Sequence, residues 1–350
     1  MKSFGKTLFC AAAALLFTQA ATAQSLSFKK GEFKVMQLTD LHLSARHPDE
    51  CRKVYDRIVS LNAIEEPDFI VITGDMVFAK PAEPAIKGLV EVLDACGAPW
   101  GVVFGNHDAE QDLSRAEMSR LYTEGRNNVN TLNDKGELAD IELPVTDGGR
   151  PAYYMLLLDS HDYNHIDRKD GAYAWFTKEQ VEQVRGWGTG HDGGSAVPSL
   201  AFFHIPLAEF IDAWTPMENT HLDKGFQPKA YGIRGEPIAC GALNSGMFAA
   251  MKEAGSVSGV FCGHDHDNDF IALWRGITLA YGRFSGCNSV YNNLPCGARI
   301  ITVTPRSRTI ESWIRDDNGR ITQRTRSTGT TIKRAKNIHK GCLYGEKTPL

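Results

Sequence analysis

The sequence predicts an α/β fold built on a buried, largely parallel sheet. Three observations lead there. Short β-branched and aromatic runs recur along the chain, and five of them end in Asp, Asn or His. Segments with one apolar face at helical spacing lie between the first of these runs. Of the 350 residues, 42% are apolar and 23% charged, so the chain can bury a large core without needing disulfides or metal merely to fold. Strands that alternate with helices pair in parallel and are covered on both faces.

At the N-terminus, Lys2 and Lys6 precede an apolar run over residues 8–17, followed by Ala21-Thr22-Ala23. A basic start, a short apolar stretch and an A-x-A site predict a secretory signal peptide over residues 1–23. The run is too short to span a bilayer, and no later segment offers 18 continuous apolar residues, so no membrane span is expected. The expected location is secreted or periplasmic. Residues 24–326 are expected to form one domain. Residues 327–350 are polar and basic, with Lys333, Arg334, Lys336 and Lys340, and read as a solvated tail. The net charge of -4 argues against a nucleic-acid scaffold, because no cation excess is available to displace phosphate counterions.

The strand pattern starts at residues 33–39, which run into Asp40-Leu41-His42. Residues 69–73 run into Gly74-Asp75, and 100–104 into Gly105-Asn106-His107-Asp108. Residues 200–203 lead to His204, and 257–262 to Gly263-His264-Asp265-His266. A helix over 51–64 presents Val54, Ile58 and Leu61 on one face, and another over 84–95 presents Ile86, Leu89 and Leu93. A further strand over 153–158 precedes a loop carrying His161 and His165.

In open α/β sheets, ligands bind beyond the carboxyl ends of the strands. The five polar clusters all fall at such ends, so they should converge although they span more than 200 residues. Oxygen and imidazole donors without thiolate suit zinc, iron or manganese. Two metals about 3.5–4 Å apart need a shared carboxylate, and Asp75, alone on its strand end, is the natural bridge. Gly74, Gly105 and Gly263 beside the ligands permit close backbone approach. Taken singly, each cluster has an ordinary reading as a turn, a cap or a core histidine. Five in order, each at a strand end, do not.

Rival motifs fail. Asp265, Asp267 and Asp269 alternate as in a calcium loop, but Phe270 stands where that loop needs glycine and Gly276 where it needs glutamate. There is no phosphate-binding G-x-x-x-x-G-K-[ST] loop and no G-x-S-x-G elbow. Ser285 reads as a loop serine. No CxxC pair supports a zinc ribbon. Cys287 and Cys296 flank a turn-rich stretch and are the expected disulfide, whereas Cys262 in its apolar strand is expected to be a buried thiol.

Together the clusters resemble the D-x-H, GD, GNH(D/E), H and GHxH signature of the calcineurin-like metallophosphoesterase superfamily, over roughly residues 33–315. Within it, Leu38-Thr39-Asp40-Leu41-His42, Phe203-His204-Ile205-Pro206-Leu207 and Gly297-Ala298-Arg299-Ile300-Ile301 resemble the purple acid phosphatase-like branch of plants and fungi. The resemblance implies a four-layer αββα sandwich of two mixed sheets with helices outside. It implies two divalent metal ions, one held by Asp40, His42, Asp75 and His266, the other by Asp75, Asn106, His204 and His264. His107 would donate a proton to the leaving oxygen, Asp108 would orient His107, and hydroxide at the metals would attack in line. Purple acid phosphatases owe their colour to a tyrosine three residues after the bridging aspartate; here that residue is Phe78, as in a colourless branch.

His161 and Arg283 are weaker candidates for substrate contact, and residues 215–243 for a wall or lid. The expected function is an exported metal-dependent phosphoesterase acting on a small phosphate ester, with a monoester preferred. A phosphodiesterase acting on nucleotides or lipid head groups is the enzymatic alternative. A metal-loaded binding or scaffold protein is the other.

Overall fold

Two mixed β-sheets stack face to face between helices in a computed structural model, which describes residues 25–166, 172–187, 196–214, 229–287 and 291–334. The expected signal peptide lies outside the described residues, as do residues 215–228 of the expected lid.

The chain opens with β1 (Leu26–Ser27) and β2 (Phe33–Leu38), then α1 (Pro48–Glu65), β3 (Phe69–Thr73), α2 (Glu83–Cys96) and β4 (Trp100–Val103). A short 3-10 turn (His107–Glu110) and α3 (Arg115–Thr123) lead to the hairpin of β5 (Ile141–Asp147) and β6 (Arg150–Leu157). Next come α4 (Lys178–Trp187), β7 (Ser199–Phe202), α5 (Glu209–Trp214), β8 (Ala230–Tyr231), α6 (Met247–Ala254) and β9 (Val257–Cys262). The last part is strand after strand: β10 (Ile271–Trp274), β11 (Ile277–Tyr281), β12 (Gly297–Val303), β13 (Ile310–Asp316), β14 (Ile321–Ser327) and β15 (Ile332–Arg334).

One sheet has the order β15-β14-β13-β12-β2-β3-β4 and the other β1-β5-β6-β7-β9-β11-β10-β8. The five expected strands are β2, β3, β4, β7 and β9. The first three are mutually parallel in one sheet, and β7 and β9 are parallel in the other. Alternation along β2 and β3 explains the layering. Phe33, Val35, Phe69 and Val71 point between the sheets and meet Leu200, Phe202 and Phe261. Met36, Leu38, Ile70 and Ile72 point outward and are covered by Val54, Ile58 and Leu61 of α1 and Ile86, Leu89 and Leu93 of α2. On the opposite face, Val181 and Val184 of α4, Phe210 of α5 and Met247 of α6 cover the eight-stranded sheet. The result is the four-layer αββα sandwich.

Two expectations need correction. The domain does not stop at residue 326, because β15 pairs with β14 and buries Ile332, while Lys333 and Arg334 point out. The basic composition belongs to a charged edge strand at least as far as Arg334. Cys287 and Cys296 are both free thiols. The Cys287 Sγ–H faces the Leu41 and His42 carbonyls, and the Cys296 Sγ–H faces the Gly286 carbonyl. Cys262 is fully buried, as its strand setting requires.

Candidate metal centre

The ends of the five strands lie level. Leu38 pairs with Ile72, Thr73 with Val103, and Phe202 with Phe261. The residues that follow them therefore gather at one rim of the sandwich. Asp40, His42, Asp75 and His264 all adopt left-handed backbone, with φ of 54°, 48°, 54° and 79°. Such conformations cost roughly 1–3 kcal/mol each in ordinary residues and persist only where the surroundings fix them. Here backbone bonds do so: Asp40 N–H donates to the Gly74 carbonyl, and His42 N–H to the Asp75 carbonyl, each at 3.0 Å. Gly105 sits so close to the Asp75 carboxylate that any Cβ would collide with it.

Three groups of donors result: Asp40 with His42 and His266, His42 with Asp75 and His107, and Asp75 with His204 and His264. Within each group the donor atoms lie within 4.8 Å of one another. Asp75 Oδ2 is 3.6 Å from His42 Nε2 and 3.2 Å from His204 Nε2, so one oxygen faces both halves of the site. Asn106 Oδ1 is 3.2 Å from His204 Nε2, and His266 Nε2 is 3.7 Å from Asp40 Oδ1. Thus the structure brings together Asp40, His42, Asp75, Asn106, His204, His264 and His266.

The donor set fits two small divalent cations. His42 Nδ1 and Nε2 and His264 Nε2 are buried without a hydrogen-bond partner, an expensive state, and a cation beside Asp75 would relieve His42 Nε2, which faces that carboxylate. Two Nδ1 atoms are committed elsewhere, that of His204 lying 2.7 Å from the Thr73 carbonyl and that of His266 3.2 Å from the Tyr291 carbonyl, whereas His264 turns its Nδ1 toward His204 Nε2 at 3.2 Å. The bonds to carbonyls fix the tautomer and leave Nε2 for the site. Burial opposes ionisation of Asp75, yet His204 and His42 hold its carboxyl well below the usual range. Burial likewise opposes a charge on His204, but Asp75 outweighs it and raises that imidazole. Burial and then the His204 charge keep His264 low, in the neutral form that ligates metal.

Beside the ligands, His107 is partly exposed and its ring packs 4.3 Å from that of Phe78. Asp108 does not orient it. The Asp108 carboxylate accepts backbone N–H bonds from Asp75, Met76, Val77 and Gly105, so it shapes the turns that carry the ligands. Burial and then the Asp75 charge raise its pKa. The carboxylate on the His107 ring is Glu110, 2.9 Å from Nδ1. Arg283 is buried in an ion pair with Asp269 and a bond to the Pro295 carbonyl, so it is not a substrate contact. His161 lies outside the three donor groups, against Gln180 and Asp159, on the wall of a cleft of about 630 Å³ that Tyr163 also lines. Glu110, Tyr163, Tyr173 and Tyr291 are site residues that sequence reasoning missed. Tyr163 Oη accepts from Asn106 Nδ2, while the Tyr173 and Tyr291 rings lie 4.3 and 5.0 Å from those of His264 and His266. Only Glu110 carried a signal, its spacing of one turn from His107.

Fold and donor set together define an α/β sandwich with clusters of candidate metal ligands at one rim. The sequence profile of the calcineurin-like phosphoesterase family matches residues 33–268, and the chain belongs to that family. A probable inactive purple acid phosphatase of Arabidopsis thaliana is 27% identical over 301 residues, covering 75% of each chain. A Saccharomyces cerevisiae phosphatase, DCR2, is 28% identical across 69% of this chain and 45% of its own length. A dimetal phosphatase from Danio rerio shares the fold with a TM-score of 0.58 at 15% identity, over 81% of this chain and 96% of that one. Among the described residues no helix is long and apolar enough to cross a membrane.

Proposed function

We propose that the protein is an exported, metal-dependent phosphoesterase that prefers phosphate monoesters. The observation that carries this reading is the complete donor set. Seven nitrogen and oxygen donors, Asp75 among them, gather at one rim, with His107 at their edge. Asp40, His42, Asp75 and His266 would hold one divalent ion, and Asp75, Asn106, His204 and His264 the other, with zinc, manganese and iron all suited to such donors. When bound, the ions supply Lewis acidity and lower the pKa of the attacking water. This chain's own residues do the rest: Asp75 holds the two halves together, and His107 gives a proton to the departing oxygen. The preference for monoesters follows the phosphatase names of the relatives, three of which are nevertheless called probable inactive. Export follows the pattern of residues 1–23.

Chelation and dialysis should abolish hydrolysis of phenyl phosphate, and zinc, manganese or iron should restore it. Bis-phenyl phosphate in the same assay tests the monoester preference. Full activity in a verified metal-free sample would sink the reading. Metal uptake without turnover of either ester would favour a binding role.

A further inference from the structure

We propose that Glu110 is the residue that positions His107, and that Tyr163 couples this pair to the metal ligand Asn106. The idea rests on the phosphoesterase reading for its consequence and on geometry for its substance. His107 opens a single 3-10 turn that ends at Glu110. Residues three apart in such a turn lie one above the other, which returns the Glu110 carboxylate to the His107 ring. Its Oε2 stands 2.9 Å from Nδ1, while Phe78 packs against the ring. Asp108 is unavailable because backbone N–H groups already occupy both its oxygens.

The second oxygen of Glu110 is also used. Tyr163 Oη donates to Glu110 Oε1 at 2.6 Å and accepts from Asn106 Nδ2 at 3.1 Å. Because the Asn106 amide spends its nitrogen on Tyr163, its oxygen turns toward His204 and the ligand cluster. One phenol thus sets the orientation of a ligand and braces the carboxylate on the proton donor. Glu110 accepts a hydrogen bond from Nδ1–H and so fixes the tautomer. The ring gives its Nε2 proton to the leaving oxygen as the P–O bond breaks, passing from the doubly protonated form to the neutral Nδ1–H tautomer that Glu110 favours. Glu110 acts on substrate only through His107.

The test compares Glu110→Ala, Glu110→Gln and Tyr163→Phe with His107→Ala in metal-loaded protein. Glu110→Ala should keep its metal and slow phenyl phosphate about 10–100-fold. Its rate on 2,4-dinitrophenyl phosphate, whose leaving group needs no proton, should change less than about 3-fold. Glu110→Gln should recover part of the loss, since an amide oxygen still accepts from Nδ1–H. Added to His107→Ala, the Glu110→Ala change should cost nothing further. Tyr163→Phe should lose metal more readily on dialysis.

Equal slowing of both esters, or losses that multiply in the double variant, would overturn the assignment. Should the wild type turn over neither ester, the phosphoesterase reading fails and a second readout decides the positioning. In ¹⁵N-histidine spectra, the His107 ring, identified by its loss in His107→Ala, should show an Nδ1–H tautomer that Glu110→Ala alters. An unchanged tautomer would reject the proposal without any turnover.

Discussion

Asp75 is held from several sides. Its N–H donates to Asp108, its Oδ1 accepts from His107 N–H at 2.8 Å, and its Oδ2 faces His42 and His204. Three residues further on, Phe78 packs its ring 5.3 Å from that of His42 and 4.3 Å from that of His107. That ring supplies packing but no phenolate, so it cannot bind ferric iron or give the charge-transfer colour of the purple relatives. Two of the tyrosine hydroxyls around the site have other partners: Tyr163 bonds Glu110 and Tyr291 bonds Glu236. We therefore predict that iron-loaded, air-oxidised protein is colourless, and that Phe78→Tyr introduces a visible band. An intense purple band in the wild type would show that another tyrosine reaches the metal and would overturn the ligand assignment.

At the scale of elements, Arg283 shows how a residue beside the site can serve the fold instead. It follows β11, whereas Asp269 precedes β10, and their buried ion pair clamps the two strand ends. Removing one partner strands a buried charge, at a cost of about 3–5 kcal/mol. Arg283→Ala should lower the unfolding free energy by that order in chemical denaturation while leaving KM for phenyl phosphate nearly unchanged. A rise in KM at unaltered stability would restore it as a phosphate contact. The same comparison shows what sequence can reveal. The runs of β2, β3, β4, β7 and β9 were legible because strand propensity and the polar residue at each end are local signals. The partner of His107 was not, because D-x-H-type spacing says nothing about which neighbouring carboxylate the backbone consumes. Asp108 follows His107 directly yet bonds four N–H groups, and Glu110 lies one turn on. The Cys287–Cys296 pairing failed for a related reason, since a disulfide needs particular Cα and Cβ geometry that closeness in sequence does not supply. In β15 the single buried Ile332 is outvoted by its basic neighbours, so composition suggested a tail.

For the whole molecule, the site lies across the seam between the sheets. Asp40, His42, Asp75 and Asn106 follow strands of the seven-stranded sheet, while His204, His264 and His266 follow strands of the other. A cation held by the proposed ligands would therefore tie one sheet to the other, in addition to the apolar layer between them. Without cations the same rim leaves imidazole nitrogens of His42 and His264 buried without partners, which weakens the sandwich where its two halves meet. Metal that binds only the folded chain adds RT ln(1 + [L]/Kd), or about 2.7 kcal/mol per site at a hundredfold excess over Kd. In a large domain, 1 kcal/mol moves Tm by about 2–4 °C. We predict that chelation lowers Tm by at least about 5 °C relative to protein in such an excess, and that Tm climbs with the logarithm of metal concentration above Kd. Calorimetry across a graded metal series measures this directly. A Tm unaffected by chelator would mean that the strand-end residues of the two sheets are not joined through metal, and the convergence of seven donors would then need another explanation.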